Sequence, residues 1–206
     1  MRADKNFRVV NFFNRVRLLI VPSVSFCRFI GWVDRKGKYF PWYIRAFKRI
    51  VQKNCLHGNL KILGLGMGVG MISHLDENWS VDYVENDTEI IKVARNHFWL
   101  PEKTNVYCVD VKKFLSEPQN LKPGYDVIFY DLFRKNKVCP QYLKYYPEIM
   151  SMLKKDGLLV INVVDYPWKL NKYTAHMRDY SVVYNETVWP FNKILSQNML
   201  IFTKKK

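Results

Sequence analysis

The stretch Lys61-Ile-Leu-Gly-Leu-Gly-Met-Gly-Val-Gly-Met71, followed by Val81-Asp-Tyr-Val-Glu-Asn-Asp87, decides the reading of this chain. It is an apolar run, a cluster of four glycines (Gly64, Gly66, Gly68 and Gly70), a helical segment and a second apolar run that ends in an acid. Glycines let a main chain turn sharply and approach a ligand closely, and an acid at the tip of the next strand accepts from two ribose hydroxyls. Gly66 and Glu85 stand 19 residues apart, close to the roughly 20 expected of a nucleoside grip. Glycine cluster, helix and acid-tipped strand together therefore point to a bound nucleoside, with the glycines and Glu85 as its contacts.

Outward from that stretch, apolar strands alternate with helical patterns, as in a parallel sheet with crossover helices. The spacing predicts strands over Leu60–Leu65, Val81–Glu85, Asn105–Val109, Tyr125–Tyr130 and Leu158–Val164, the last entered through an Asp156-Gly157 turn. Helices are expected over Val69–Glu77, from Asp87 to about Phe98, over Val111–Leu115 and over Gln141–Leu153. In the second of these, Ile90, Ile91, Ala94 and Phe98 form one stripe. Residues 165–178 read as irregular and as a cover for the site, and Tyr180–Glu186 and Met199–Thr203 as two final antiparallel strands.

Four acids fall at or just beyond successive strand ends: Glu85, Asp110, Asp131 and Asp165. In an open α/β sheet, ligands bind in the crevice outside those ends. Each acid could also cap the element after it. Capping competes evenly with ligand binding at Asp110, and Asp165 reads as a loop acid. Asp131 precedes Leu132-Phe133, a poor start for a capped helix, so a role in chemistry is the better reading there.

The 206 residues form one folded unit with a formal charge of +15. Residues 1–60 hold 13 Lys+Arg against Asp4 and Asp34, a net of +11, so the basic excess lies in the arm that precedes the glycine stretch. We divide the chain into a basic, aromatic extension over residues 1–56 and a ligand-binding domain over 57–206. The extension suits an anionic partner, nucleic acid or a charged surface, or else is a solvated face. The apolar run at residues 18–27 is too short to span a bilayer and holds Pro22. Cys27, Cys55, Cys108 and Cys139 include no C-x-x-C pair, and His57, His74, His97 and His176 have no metal spacing. The expectation is a cytoplasmic protein without a metal, free to form a homo-oligomer.

At this point a resemblance becomes specific. Val84–Phe98, Asn105–Leu115 and Tyr125–Asp131 resemble three motifs of the spermidine synthase family, and Tyr142–Val164 resembles the helix and strand that follow them. The likeness covers about residues 60–164. The sheet it implies also serves class I S-adenosylmethionine-dependent methyltransferases. It is Rossmann-like, doubly wound, mostly parallel and seven-stranded, with the last strand antiparallel. The resemblance implies a donor that is S-adenosylmethionine or its decarboxylated form. It places Glu85 on the ribose, Asp110 and the adjoining Val111 at the adenine, and Asp131 at the acceptor as the catalytic acid. Two positions depart from the aminopropyltransferase pattern. Met67 stands where the family has an Asp that holds the alkyl end of the donor, and Arg134 stands where it has a second acid after the catalytic one. The implied function is alkyl transfer, methyl or aminopropyl, to an acceptor the sequence does not identify. The alternatives are a degenerate binding or scaffold protein of the same fold and an NAD-linked oxidoreductase.

Overall fold

The computed structural model describes residues 7–12, 16–21, 28–36, 40–55, 58–121, 123–134, 137–138, 140–165, 180–191 and 195–204. Strands β1 (Arg8–Phe12), β2 (Val16–Val21) and β3 (Arg28–Asp34) form a small antiparallel sheet in that order. Helix α1 (Trp42–Asn54) follows. The large sheet contains β4 (Lys61–Leu65), β5 (Ser80–Glu85), β6 (Asn105–Cys108) and β7 (Tyr125–Tyr130). A two-stranded ribbon, β8 (Phe133–Arg134) and β9 (Lys137–Val138), lies between β7 and the long strand β10 (Leu153–Asp165). The chain ends in β11 (Tyr180–Phe191) and β12 (Leu195–Lys204). Helices α2 (Thr88–His97), α3 (Val111–Leu115) and α4 (Tyr146–Ser151) connect the parallel strands.

The large sheet has seven strands in the order β11-β12-β10-β7-β4-β5-β6. Strands β10, β7, β4, β5 and β6 pair in parallel, and β12 runs antiparallel to both neighbours. The chain runs outward from β4 to β6, then returns to place β7 on the other flank of β4. That reversal opens a crevice above the carboxyl ends of β4 and β7.

Successive residues of a strand face opposite sides, and both sides of this sheet are covered. Ile62, Val127, Phe129, Leu158 and Val160 join one apolar cluster with residues of α1 and α2. Leu63, Ile128, Tyr130, Leu159 and Ile161 join a second with α3 and α4. This is why the central strands read as continuous apolar runs rather than as alternation. Helix α1 buries Ile44, Ala46, Phe47, Ile50 and Val51. Its Phe47 ring meets Phe129 at 4.5 Å and Trp79 at 6.2 Å, and Lys48 Nζ donates to the Leu75 carbonyl. The small sheet is tied to the body where the Arg17 guanidinium lies 4.0 Å over the Trp99 ring and donates to the His97 carbonyl at the end of α2.

Three expected elements differ. The helix expected over Gln141–Leu153 is a 3-10 segment, Pro140–Tyr145, followed by the short α4, and Leu153 already begins β10. The segment after the glycines is a single 3-10 turn, Met71–His74, rather than a helix over Val69–Glu77. Gly70, in the left-handed region at φ 78°, precedes it, and Asp76 ends it by accepting from the Asn78 and Trp79 amides. Side-chain and carbonyl acceptors there offer the backbone an alternative to the helical ladder. Likewise Asp156-Gly157 is not a turn into the fifth parallel strand. It lies inside β10, at a shift of register between Leu153 and Leu158.

Gly64 is a packing glycine. A Cβ there would lie 2.5 Å from the Tyr83 ring, which is itself fully buried, whereas one at Gly58 would meet nothing within 4 Å. Gly64→Ala should lower unfolding stability by about 1–3 kcal/mol in urea melts, while Gly58→Ala should stay within about 0.5 kcal/mol. Equal behaviour of the two would contradict this packing.

Candidate active site

The glycine bend is held by the ends of three strands. The Gly66 amide donates to the Val84 carbonyl at 3.0 Å, and the Asp131 amide donates to the Leu65 carbonyl at 2.9 Å. Gly66 has φ 89°, and a Cβ there would lie 2.7 Å from the Asp131 carbonyl oxygen. Both the backbone conformation and the close approach demand glycine. Gly68 (φ 54°) and Gly70 (φ 78°) carry the chain on in the left-handed region.

Glu85 faces this bend. One carboxylate oxygen accepts from the Met67 amide at 3.2 Å and the other from the Asp87 amide at 3.0 Å. The side chain is thus fixed by two main-chain donors on either side of the crevice mouth. Asp87 in turn caps α2 by accepting from the Glu89 amide.

Asp110 does two things at once. Its Oδ1 accepts from the Lys112 amide at 2.8 Å and caps α3, and its Oδ2 accepts from the Tyr142 hydroxyl at 3.1 Å. Gly66, Val84, Glu85, Asn86, Asp110, Val111, Leu132 and Tyr142 line one hollow that is open to solvent. Of the residues anticipated as donor contacts, Gly66, Glu85, Asp110 and Val111 meet in this hollow. Gly64, Gly68 and Gly70 shape the bend without lining it.

Asp131 lies beside the hollow rather than in its wall, with Leu132 between. Its Oδ1 accepts from the Asn162 amide nitrogen at 2.8 Å. Burial raises its carboxyl from 3.8 to about 6, against a lowering by the Asn162 bond. Tyr43 of α1 is pushed well above its ordinary range, first by burial and then by the Asp131 charge. Tyr83 is raised by burial, against a lowering by its hydrogen bonds with Ser73 and Ile72, and Asp131 is the smallest raising cause. The Tyr43 hydroxyl also lies 4.0 Å from the Met71 sulfur. Met67 and Met71 are both buried in the core.

Asn162 and Tyr142 carry parts of the site that sequence reading did not assign. Asn162 could have been found: one amide inside the apolar run Leu158–Val164 requires a buried partner. The hydroxyl of Tyr142 gives no such signal. Arg134 lies in β8, where its side chain is outside the described residues, as are His57, His176, Cys27, Cys139 and residues 166–178 of the expected cover. The Asp165 side chain is outside them as well. Among the described residues no cluster of metal-ligating side chains occurs, and no helix is long and apolar enough to cross a membrane.

No protein-family model and no curated protein matches the sequence. Solved structures do. A probable spermidine synthase from Corynebacterium glutamicum matches with a TM-score of 0.75 at 15% identity, over 96% of this chain and 76% of that one. Human methyltransferase-like protein 13, in complex with SAH, matches with a TM-score of 0.63 at 18% identity, over 80% of this chain and 83% of that one. The tRNA m1G37 methyltransferase of M. jannaschii matches with a TM-score of 0.57 at 16% identity, over 92% of this chain and 57% of that one. The chain has the class I methyltransferase fold. Within that fold its crevice has acids on β5, after β6 and after β7, the arrangement expected from the sequence, and the glycine bend carries Met67.

The raised carboxyl of Asp131 has a consequence for stability. Ionising it costs folding free energy, so stability is full below about pH 4 and declines as pH rises through about 6. Asp131→Asn keeps the Asn162 partner without the charge. The variant should melt higher than the parent at pH 8, with the gap closing near pH 4. A lower melting temperature at pH 8 would contradict the assignment.

Proposed function

We propose that this chain transfers a methyl group from S-adenosylmethionine to an amine-bearing acceptor. The observation that carries the proposal is the pairing of Glu85 with the glycine bend, through the Met67 amide, at one end of the hollow whose other end is Asp110. A ribose between them would exchange its two hydroxyls for the amide contacts of Glu85. An adenine beyond it would give its exocyclic amine to Asp110 and accept from the Val111 amide, one of the first-turn donors that a helix leaves unpaired. The sulfonium end would then point toward Asp131.

The chemistry is an in-line displacement. The amine lone pair forms the new C–N bond as the C–S bond breaks, and the bonding electrons return to sulfur, which leaves as a neutral thioether. One N–H proton passes to Asp131. Positioning supplies most of the acceleration. Asp131, held by Asn162 and raised toward neutrality, is suited to take the proton.

A second reading, aminopropyl transfer from the decarboxylated donor, is favoured by the likeness to the probable spermidine synthase, which extends over 96% of the chain. Met67 argues against it, because its buried thioether offers no charge to the terminal ammonium of an aminopropyl group. Mass spectrometry of the natively purified protein, after loading with each donor, separates the two. Methyl transfer predicts retention of S-adenosylmethionine. Retention of the decarboxylated donor alone would replace methyl by aminopropyl transfer.

Two outcomes test the roles. Glu85→Ala should weaken calorimetric binding of S-adenosylhomocysteine by roughly 10- to 100-fold, the scale of a charge-assisted hydrogen bond. Asp131→Asn should bind it as the parent does and lose about 10²–10⁴ in turnover. In the parent, kcat/KM should fall as pH drops through about 6, where Asp131 takes up its proton. Full activity in Asp131→Asn would remove Asp131 from the mechanism.

A further inference from the structure

Tyr142 stands in the 3-10 segment Pro140–Tyr145, far along the chain from the hydrogen-bond partner it meets at the crevice. Its hydroxyl donates to Asp110 Oδ2 at 3.1 Å, while the Lys112 amide holds Oδ1 at 2.8 Å. Each oxygen of the carboxylate thus has one donor, from different elements. Two bonds to different oxygens fix the plane of a carboxylate, which one bond cannot do. A carboxylate has about four acceptor sites, so pinning leaves lone pairs over, in a set direction. Both Asp110 and Tyr142 line the same hollow as Gly66 and Glu85.

We propose that Tyr142 is the specificity-determining residue for the base, holding Asp110 so that only a base with an exocyclic amine is accepted. This rests on the adenosyl reading of the hollow given above. The physical basis is the one-sidedness of a carboxylate, which accepts and cannot donate. An amine at the base edge completes its bonding, whereas a carbonyl oxygen at the same place sets two acceptors against each other. A carboxylate free to swing would turn away from the carbonyl and tolerate it. One pinned by Tyr142 and Lys112 would not. Tyr142 does not take part in the group transfer. It acts through Asp110 and is a positioning residue.

The substitution that isolates this role is Tyr142→Phe, which removes the hydroxyl and keeps the ring that packs at the hollow. The measurement is calorimetric affinity for S-adenosylhomocysteine and for its 6-oxo counterpart, S-inosylhomocysteine. The parent should prefer the adenosyl compound by at least ten-fold. In Tyr142→Phe that preference should shrink several-fold, through weaker adenosyl binding and unchanged or tighter inosyl binding. A structural role alone would weaken both ligands by the same factor, and that result, or an unchanged ratio, would overturn the inference. Asp110→Asn gives a second arm in case Tyr142→Phe folds poorly. Asparagine caps a helix as well as aspartate does, and its amide can donate to a carbonyl, so this variant should lose or reverse the preference. A parent that prefers adenosyl while Tyr142→Phe keeps its ratio defeats only the role of Tyr142. A parent that binds neither compound defeats the adenosyl reading itself, and this inference with it.

Discussion

Glu85 can reach across to the Met67 amide only because the chain turns back on itself at Gly66. There the backbone sits at a positive φ with its Cα pressed against the Asp131 carbonyl. A side chain at 66 would part the ends of β4 and β7, and the crevice between them would lose its floor. The rest of the site is arranged around this one close approach. The Gly66 amide bonds to β5, the Asp131 amide bonds to β4, and the three acids stand at the ends of β5, β6 and β7. Packing supports the bend from below, through Tyr83 against Gly64 and through Leu100 at Gly70. It also supports it from the N-terminal side, where Gly31 of β3 lies against Val69 and Met71.

The crevice divides into two electrostatic environments. At the hollow, Glu85 and Asp110 accept hydrogen bonds from backbone amides and a phenol. Beside it, Asp131 has one amide partner and is surrounded by buried aromatic groups, so its proton is held to about pH 6. Under the proposed function, two carboxylates would hold the ligand and one would move a proton, a division of labour set by environment rather than by residue type. His74 is a different case. Burial lowers it to about 4, and among the described residues its Nε2 has no hydrogen-bond partner, so it is a half-buried group that stays neutral.

The centre of the parallel sheet was legible because β4 and β7 are covered on both faces, and such strands announce themselves as unbroken apolar runs. Glu85 was legible for the same kind of reason, since an acid at the tip of a strand one unit after a glycine bend has few other uses. Asp110 was ambiguous in the sequence and is ambiguous by construction, being both a helix cap and a wall of the hollow. What local pattern could not give was set by long-range contact. The helix expected after Gly70 shrank to one turn because Asp76 and Tyr83 take up its backbone groups. Tyr43 and Tyr142 meet acids that lie far away in sequence, and nothing next to either tyrosine names its partner.

The most direct test is a crystal structure with S-adenosylhomocysteine bound. This account requires both ribose hydroxyls within about 2.6–3.2 Å of the Glu85 carboxylate and the adenine amine on Asp110. A nucleoside seated elsewhere, or Glu85 still bonded only to the Met67 and Asp87 amides with ligand present in the crystal, would contradict it.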